Sequence, residues 1–274
     1  MSLETFDAGW LALREPVDHR SRADALAGRL AEWWAAGGRS SVLDLGCGTG
    51  SNLRYLAPRL GGRQHWTLVD HDPRLLARVA APLSDLTVEL VPANLTEAAL
   101  DRVASTDLVT ASALLDLVSR KWLDELVAAC AHAGAGALLA LSYDGTIEWG
   151  SPLADDALVR DAVNAHQTRE KGFGPALGPA AARAVEDAFR RRGYRTWSAP
   201  TPWRLEAADA ELARMLVSGW ANAAAEQRPD AAEAVRSWAA RRAGMVGQAG
   251  FALTVGHADL LAVPRPSTAT RAHP

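Results

Sequence analysis

Residues 42–50, VLDLGCGTG, set three glycines at alternate positions behind an apolar run, with a carboxylate, Asp44, two residues ahead of the first. Twenty positions beyond the last glycine a second acid, Asp70, ends another apolar run, HWTLVD. Glycine takes positive φ without penalty, so a loop of this kind lets backbone approach a ligand closely. A structural turn between strand and helix uses glycine for the same reason, and the neighbouring residues must decide between the two. A Walker A loop needs a lysine and a hydroxyl after its last glycine, whereas Gly50 is followed by Ser51 and Asn52. A dinucleotide fingerprint would need its third glycine at position 51, which is serine.

The two acids point elsewhere. Asp44 would repel a pyrophosphate but attract a cationic group. Asp70, at the end of the next strand, can accept both hydroxyls of a ribose. A nucleoside with positive charge and no phosphate suits both, and S-adenosylmethionine has those parts: adenosine, sulfonium, ammonium and a carboxylate small enough for helix N-terminal amides.

The elements that must position these residues follow from periodicity. Apolar residues at helical spacing (Leu26, Leu30, Trp33, Trp34) predict an N-terminal helix or helix pair within residues 11–34. Strands are expected at 41–45, 65–70, 86–94, 106–112 and 136–144, separated by helices at 51–60, 73–83, about 97–103 and 119–133. Five strands alternating with helices read as βαβ units and a parallel sheet covered on both faces. Residues 145–179 are polar and rich in Gly and Pro, too long for an ordinary connection. A helix at 180–193, a strand at 194–205, helical sequence over 207–244 and a last strand at 251–264 complete the pattern.

VLDLGCGTG, LVDHD and DLVTASALLDLVS together resemble the first motifs and the segment after the fourth strand of the class I S-adenosylmethionine-dependent methyltransferases, and the resemblance in element order covers residues 39–264. It implies an α/β fold: a Rossmann-like, seven-stranded, mostly parallel sheet with helices on both faces, its sixth strand parallel and its seventh antiparallel. Residues 1–38 would form an N-terminal helical cap, 39–264 the methyltransferase domain with substrate-roofing insertions at about 145–179 and 206–248, and 265–274 a disordered tail. The resemblance also implies a cofactor site. Gly46, Gly48 and Gly50 would admit the methionine portion, Asp44 would lie near its amino group and Asp70 would bind the ribose. Asn94 would lie against the adenine amino group and Ser112 beside the sulfonium, with His71 and Leu95 also in the cofactor site. The helical stretch between the last two strands departs from the family, where a short turn is usual.

Methyl transfer from a sulfonium is an in-line displacement, so protein groups align the acceptor and remove its proton where it has one. Asp116, Tyr143 and His166 are the candidate catalytic residues; a helix-capping Asp116 and a solvated His166 are the structural alternatives. Arg169 or Lys171 could hold a substrate carboxylate, Arg14 or His19 could contact the cofactor from a lid, and Trp10, Trp149, Trp203 and Trp220 could line an aromatic cavity. Each of these also has a plain packing or solvent-facing reading.

Composition sets the outer limits. A net charge of -3 gives no global basic field. The segment after the fourth strand reads Ala111-Ser112-Ala113-Leu114 rather than the Asn/Asp-Pro-Pro-aromatic or Pro-Cys motifs that the resemblance associates with nucleic-acid bases. The expected acceptor is therefore an oxygen or nitrogen of a small metabolite or natural product. A methyltransferase acting on RNA or protein, and a non-catalytic S-adenosylmethionine-binding protein, stay open beside it. The two cysteines, Cys47 and Cys130, have no metal-ligand spacing, and no signal peptide or membrane span is read. With only two lysines among 29 basic residues, the expectation is a metal-free cytoplasmic protein of bacterial origin.

Overall fold

The structure, a computed structural model, describes residues 7–80, 86–96 and 100–265. Two helices lead. In α1 (Ala8–Ser21) the Asp7 carboxylate accepts from the Gly9 and Trp10 amides; α2 (Asp24–Ala36) buries Leu26, Ala27, Leu30 and Trp34 along one face. Then follow β1 (Ser41–Leu45), α3 (Ser51–Leu60), β2 (Gln64–Asp70), α4 (Pro73–Leu76), β3 (Leu86–Pro92), β4 (Leu108–Ser112), α5 (Arg120–Ala133) and β5 (Gly136–Trp149). The second half contains α6 (Asp156–Gln167), α7 (Ala181–Arg191), β6 (Arg195–Pro200), β7 (Trp203–Leu205), α8 (Ala210–Gln227), α9 (Ala232–Met245) and β8 (Leu253–Val263).

The strands form one sheet in the order β3-β2-β1-β4-β5-β8-β6, with β7 also paired to β8. β3 to β5 pair in parallel, and β8 runs antiparallel to β5, β6 and β7. The alternation of side chains sorts the core. Leu43, Leu45, Val109 and Ala111 face α5 and α7, while Val42, Trp66, Leu68 and Leu108 face α2 and α3. The chain order reverses between β1 and β4, the place where open α/β sheets leave a crevice beyond the strands' carboxyl ends.

Several boundaries differ from the sequence reading. The expected helix over 73–83 is helical only at Pro73–Leu76, and residues 81–85 lie outside the described residues. Residues 97–99 also lie outside them, and Leu100–Ser105 is a 3-10 turn rather than an α-helix. The single strand expected over 194–205 is two, so the sheet has eight strands among the described residues. Pro202 has no amide for a ladder, and Thr201 instead donates its N–H to His257 O at 2.7 Å. β5 runs on to Trp149, absorbing the start of the expected roof, and shifts register on β8 twice as it does so. The helical sequence after β7 is two helices, divided at Pro229. The tail at 266–274 lies outside the described residues.

A third cluster answers the tryptophan question. Trp149 meets Trp220, Trp238 and Phe251 edge-on with ring centroids 6.1–6.3 Å apart, packing α8 and α9 on the extended end of β5. Trp203 is buried in the same cluster and Trp10 packs against it. These rings are structural, not the lining of an aromatic cavity.

Candidate active site

The loop after β1 folds back on β2. Gly46 N and Cys47 N both donate to Val69 O, and Gly50 N to Cys47 O. Gly46, Gly48 and Gly50 all take positive φ, at 66°, 54° and 81°. At Gly48 space is closed as well, since a Cβ there would stand 3.1 Å from Leu11 of α1. Asp70 ties the loop down: Oδ2 accepts from Gly48 N at 2.8 Å and Oδ1 from Asp72 N at 2.9 Å. A carboxylate has about four acceptor positions, so half remain for a ligand.

Asp44 is buried, and burial pushes its carboxyl pKa up to about 6; hydrogen bonds from Asn52 and Thr110 and the charge of Arg22 oppose that rise, and Asp70 adds to it. Both hydrogen bonds, from Asn52 Nδ2 at 2.9 Å and Thr110 Oγ1 at 2.7 Å, reach Oδ1. Asp44 Oδ2 and His71 Nε2 are buried among the described residues without a hydrogen-bond partner. Orphaned buried polar atoms are costly, and their natural complement is a ligand.

A cavity with about 1120 Å³ of empty space, its open mouth included, opens at the carboxyl ends of β1 to β4. Of the cofactor residues expected from sequence, Asp44, Gly46, Gly48, Asp70, His71, Asn94, Leu95 and Ser112 line it. Gly50 does not; it is the left-handed residue that starts α3. Asn94 Oδ1 accepts from both Thr96 N and Thr96 Oγ1, which leaves the amide NH2 for a ligand. A donor of that kind suits a ring nitrogen of adenine. At the end of β4, Ala113 sits at φ 52°, one of two non-glycine residues with positive φ among the described residues. Backbone held there against its preference lines the cavity beside Ser112. Cys47 lines it too, but burial raises its thiol pKa, aided by Asp44 and Asp70, so it stays protonated.

The catalytic candidates fare differently. Tyr143 is outside the lining, its hydroxyl donating to Asn164 Oδ1 at 2.8 Å, and burial raises its pKa, which keeps it a neutral phenol. Asp116 is buried and does not line the cavity, whereas Leu114 and Leu117 of the same segment do. His166 lies on α6 with Nε2 3.1 Å from Glu226 of α8, away from the lining. His166→Ala should therefore leave S-adenosylhomocysteine affinity within about twofold and stability within about 0.5 kcal/mol, by calorimetry and thermal melting.

Of the two lid residues that the sequence put forward in α1, Arg14 lines the cavity and His19 does not; Leu11 and Asp18 were not picked out. Leu11, Arg14 and Asp18 share one helical face and line the cavity. Arg14 Nε donates to Asp18 Oδ2 at 2.9 Å and Trp203 Nε1 to Asp18 Oδ1 at 3.0 Å. α1 is latched to α3 by Glu15–Arg54 at 2.6 Å and by His19 Nε2, 3.0 Å from Ser51 Oγ. Lys171 and Phe173 complete the wall from a tight turn in which Glu170 Oε1 accepts from Gly172 N and Gly174 N, both at 2.8 Å. The spacing Leu11, Arg14, Asp18 was the available signal; Phe173 had none.

Residues 42–134 match the family described as "Methyltransferase domain". The chain carries a methyltransferase domain. No curated protein matches it significantly. Among solved structures, a cyclopropane-fatty-acyl-phospholipid synthase-like protein from Lactobacillus casei is 17% identical, with 95% of each chain covered and a TM-score of 0.52, and it shares the fold. A cyclopropane synthase from Mycobacterium tuberculosis is 14% identical over 82% of this chain and 78% of its own, with a TM-score of 0.43. A phosphoethanolamine N-methyltransferase from Haemonchus contortus, in complex with S-adenosyl-L-methionine, is 13% identical over 83% of this chain and 49% of its own, with a TM-score of 0.40. The matched segment of the methyltransferase domain runs from β1 to the end of α5, and so contains both carboxylates and the glycine loop.

Proposed function

We propose that this protein transfers a methyl group from S-adenosylmethionine to an oxygen or nitrogen of a small-molecule acceptor. The observation that carries the reading is the pairing of a buried Asp44 oxygen without a partner with Asp70, on either side of a three-glycine loop. Asp44 would hold the cofactor's ammonium, Asp70 its ribose, and His71, Asn94 and Leu95 its base, while Gly46 and Gly48 let backbone close on the methionine portion. When bound, the sulfonium supplies an electrophilic methyl group. Ser112 and the constrained Ala113 backbone would orient it toward the part of the cavity walled by Leu117, Lys171 and Phe173, where the acceptor binds. Leu11, Leu114 and Phe173 exclude water from that space, and Arg14 and Lys171 give it cationic groups. Asp116, Tyr143 and His166 lie outside the cavity lining and take no proton from the acceptor.

Within the expected cap (residues 1–38), α1 walls the site through Leu11, Arg14 and Asp18; the first insertion adds Lys171 and Phe173, and no described residue of the second insertion lines the cavity. An RNA acceptor is disfavoured because Arg190, Arg191, Arg192 and Arg195 gather where α7 leads into β6, at the amino ends of the parallel strands and opposite the cavity. Cys47 and Cys130 are both free and buried, in keeping with a reducing cytoplasm, and among the described residues no helix is long and apolar enough to cross a membrane. The test is to incubate the purified protein with methyl-labelled S-adenosylmethionine and an extract of its host. A labelled small molecule is expected; label confined to RNA or protein would overturn the acceptor class.

A further inference from the structure

We propose that Arg22 is a positioning residue for the cofactor: acting through Asn52, it fixes the Asp44 carboxylate so that one oxygen is left for the ligand. The proposal rests on the cofactor reading above. Arg22, in the turn between α1 and α2, directs Nε to Asp259 Oδ2 at 2.9 Å and Nη1 to Asn52 Oδ1 at 3.0 Å. Asn52, in the first turn of α3, passes the contact on, Nδ2 donating to Asp44 Oδ1 at 2.9 Å. All four side chains are buried. A guanidinium only donates, whereas an amide has one accepting and one donating end. Arg22 therefore dictates that the Asn52 oxygen faces it, which turns the NH2 toward Asp44. With Thr110 donating to the same Oδ1, the carboxylate is held from one side and Oδ2 stays without a partner in the cavity wall. Arg22 is not part of that wall. Asp259 anchors it from behind, and is itself fixed by Leu141 N at 2.8 Å and Thr201 Oγ1 at 3.1 Å.

The charged and titratable groups around Asp44 are Arg22 from the α1–α2 turn, Asp70 from the end of β2 and Cys47 from the glycine loop. Arg14 and Asp18 of α1 and His71 line the same cavity. Without Arg22, a nearby cation is lost and the Asn52 amide is free to turn its oxygen toward Asp44. The carboxyl then satisfies that oxygen best by keeping its proton. An ammonium pairs with the carboxylate, not with the acid. Binding is therefore complete above the carboxyl's midpoint in the free protein and falls as pH drops through it, so a higher midpoint moves the loss to higher pH.

The experiment follows the Asp44 carboxyl by carbon NMR in the ligand-free protein and measures S-adenosylhomocysteine affinity from about pH 5.5 to 8. It compares the wild type with Arg22→Met and Arg22→Lys; the lysine keeps a charge for Asp259 but gives up the second arm that reaches Asn52, so the fold is retained. In both variants the Asp44 midpoint is expected to rise from about 6 to above about 7, with at least about threefold more affinity lost at pH 6.5 than at pH 8. Thr201→Val, which removes a different hydrogen bond to Asp259, should lower the melting temperature and leave both pH curves in place. Arg22 variants that melt earlier yet keep the wild-type Asp44 titration would overturn the proposal. If the wild type binds no S-adenosylhomocysteine, the cofactor reading fails, and the Asp44 titration alone still decides whether Arg22 and Asn52 hold the carboxylate.

Discussion

Asp70→Ala is expected to weaken S-adenosylhomocysteine binding by about 100-fold, the ~3 kcal/mol that hydrogen bonds to a charged group contribute when their partner is removed. Two losses combine in that figure. The acceptor for the ribose hydroxyls disappears, and Gly48 N loses the bond at 2.8 Å that holds the glycine loop against the end of β2. Asp70→Asn separates them, because an amide oxygen can still accept from Gly48 while one acceptor becomes a donor. It should lose less than the alanine variant and keep the loop in place. Calorimetric titration of the three proteins checks this, and unchanged affinity in Asp70→Ala would remove Asp70 from the ligand site.

The largest effect on stability is expected at Asp259. Its side chain and that of Arg22 are 2% and 3% exposed, and it also accepts from Leu141 N and Thr201 Oγ1. Breaking a buried ion pair from one side leaves an uncompensated charge and costs about 3–5 kcal/mol. Asp259→Ala should therefore lower the urea midpoint strongly, since that figure is a large part of an ordinary domain's total stability. The double replacement of Asp259 and Arg22 by apolar residues should recover much of the loss, because neither partner is then left buried without the other. Equal destabilisation of the single and double variants would show that the pair itself, rather than the stranded guanidinium, is what stabilises this region.

The legible parts of the fold are those whose signals are local. Glycines at 46, 48 and 50 carry their need for positive φ in their own identity, and Val42–Leu45 announces a buried strand by its apolar run. The matched motif and the strand order followed from these. The misread boundaries involve competition. Residues 73–83 have helical periodicity, yet the helix stops at Leu76. Residues 194–205 look like one extended run, and only Pro202 and the Thr201 bond to His257 reveal the corner. Long-range partners were hidden altogether. Nothing near Arg22 in the sequence indicates that its two arms end on Asn52 and Asp259, 30 and 237 residues away. His166 had the right chemistry for a base, but its neighbour in space is Glu226, which only the packing of α6 on α8 decides.

The central claim is that the cavity beyond β1 and β2 takes a cationic nucleoside rather than a phosphate-bearing one. Titrating the purified protein in a calorimeter with S-adenosylhomocysteine, and separately with NAD, tests it most directly. One-to-one binding of S-adenosylhomocysteine is expected, weakened as pH falls below about 6, where Asp44 takes up its proton, with no measurable heat from NAD. Binding of NAD without S-adenosylhomocysteine would contradict the assigned roles of Asp44 and Asp70 together.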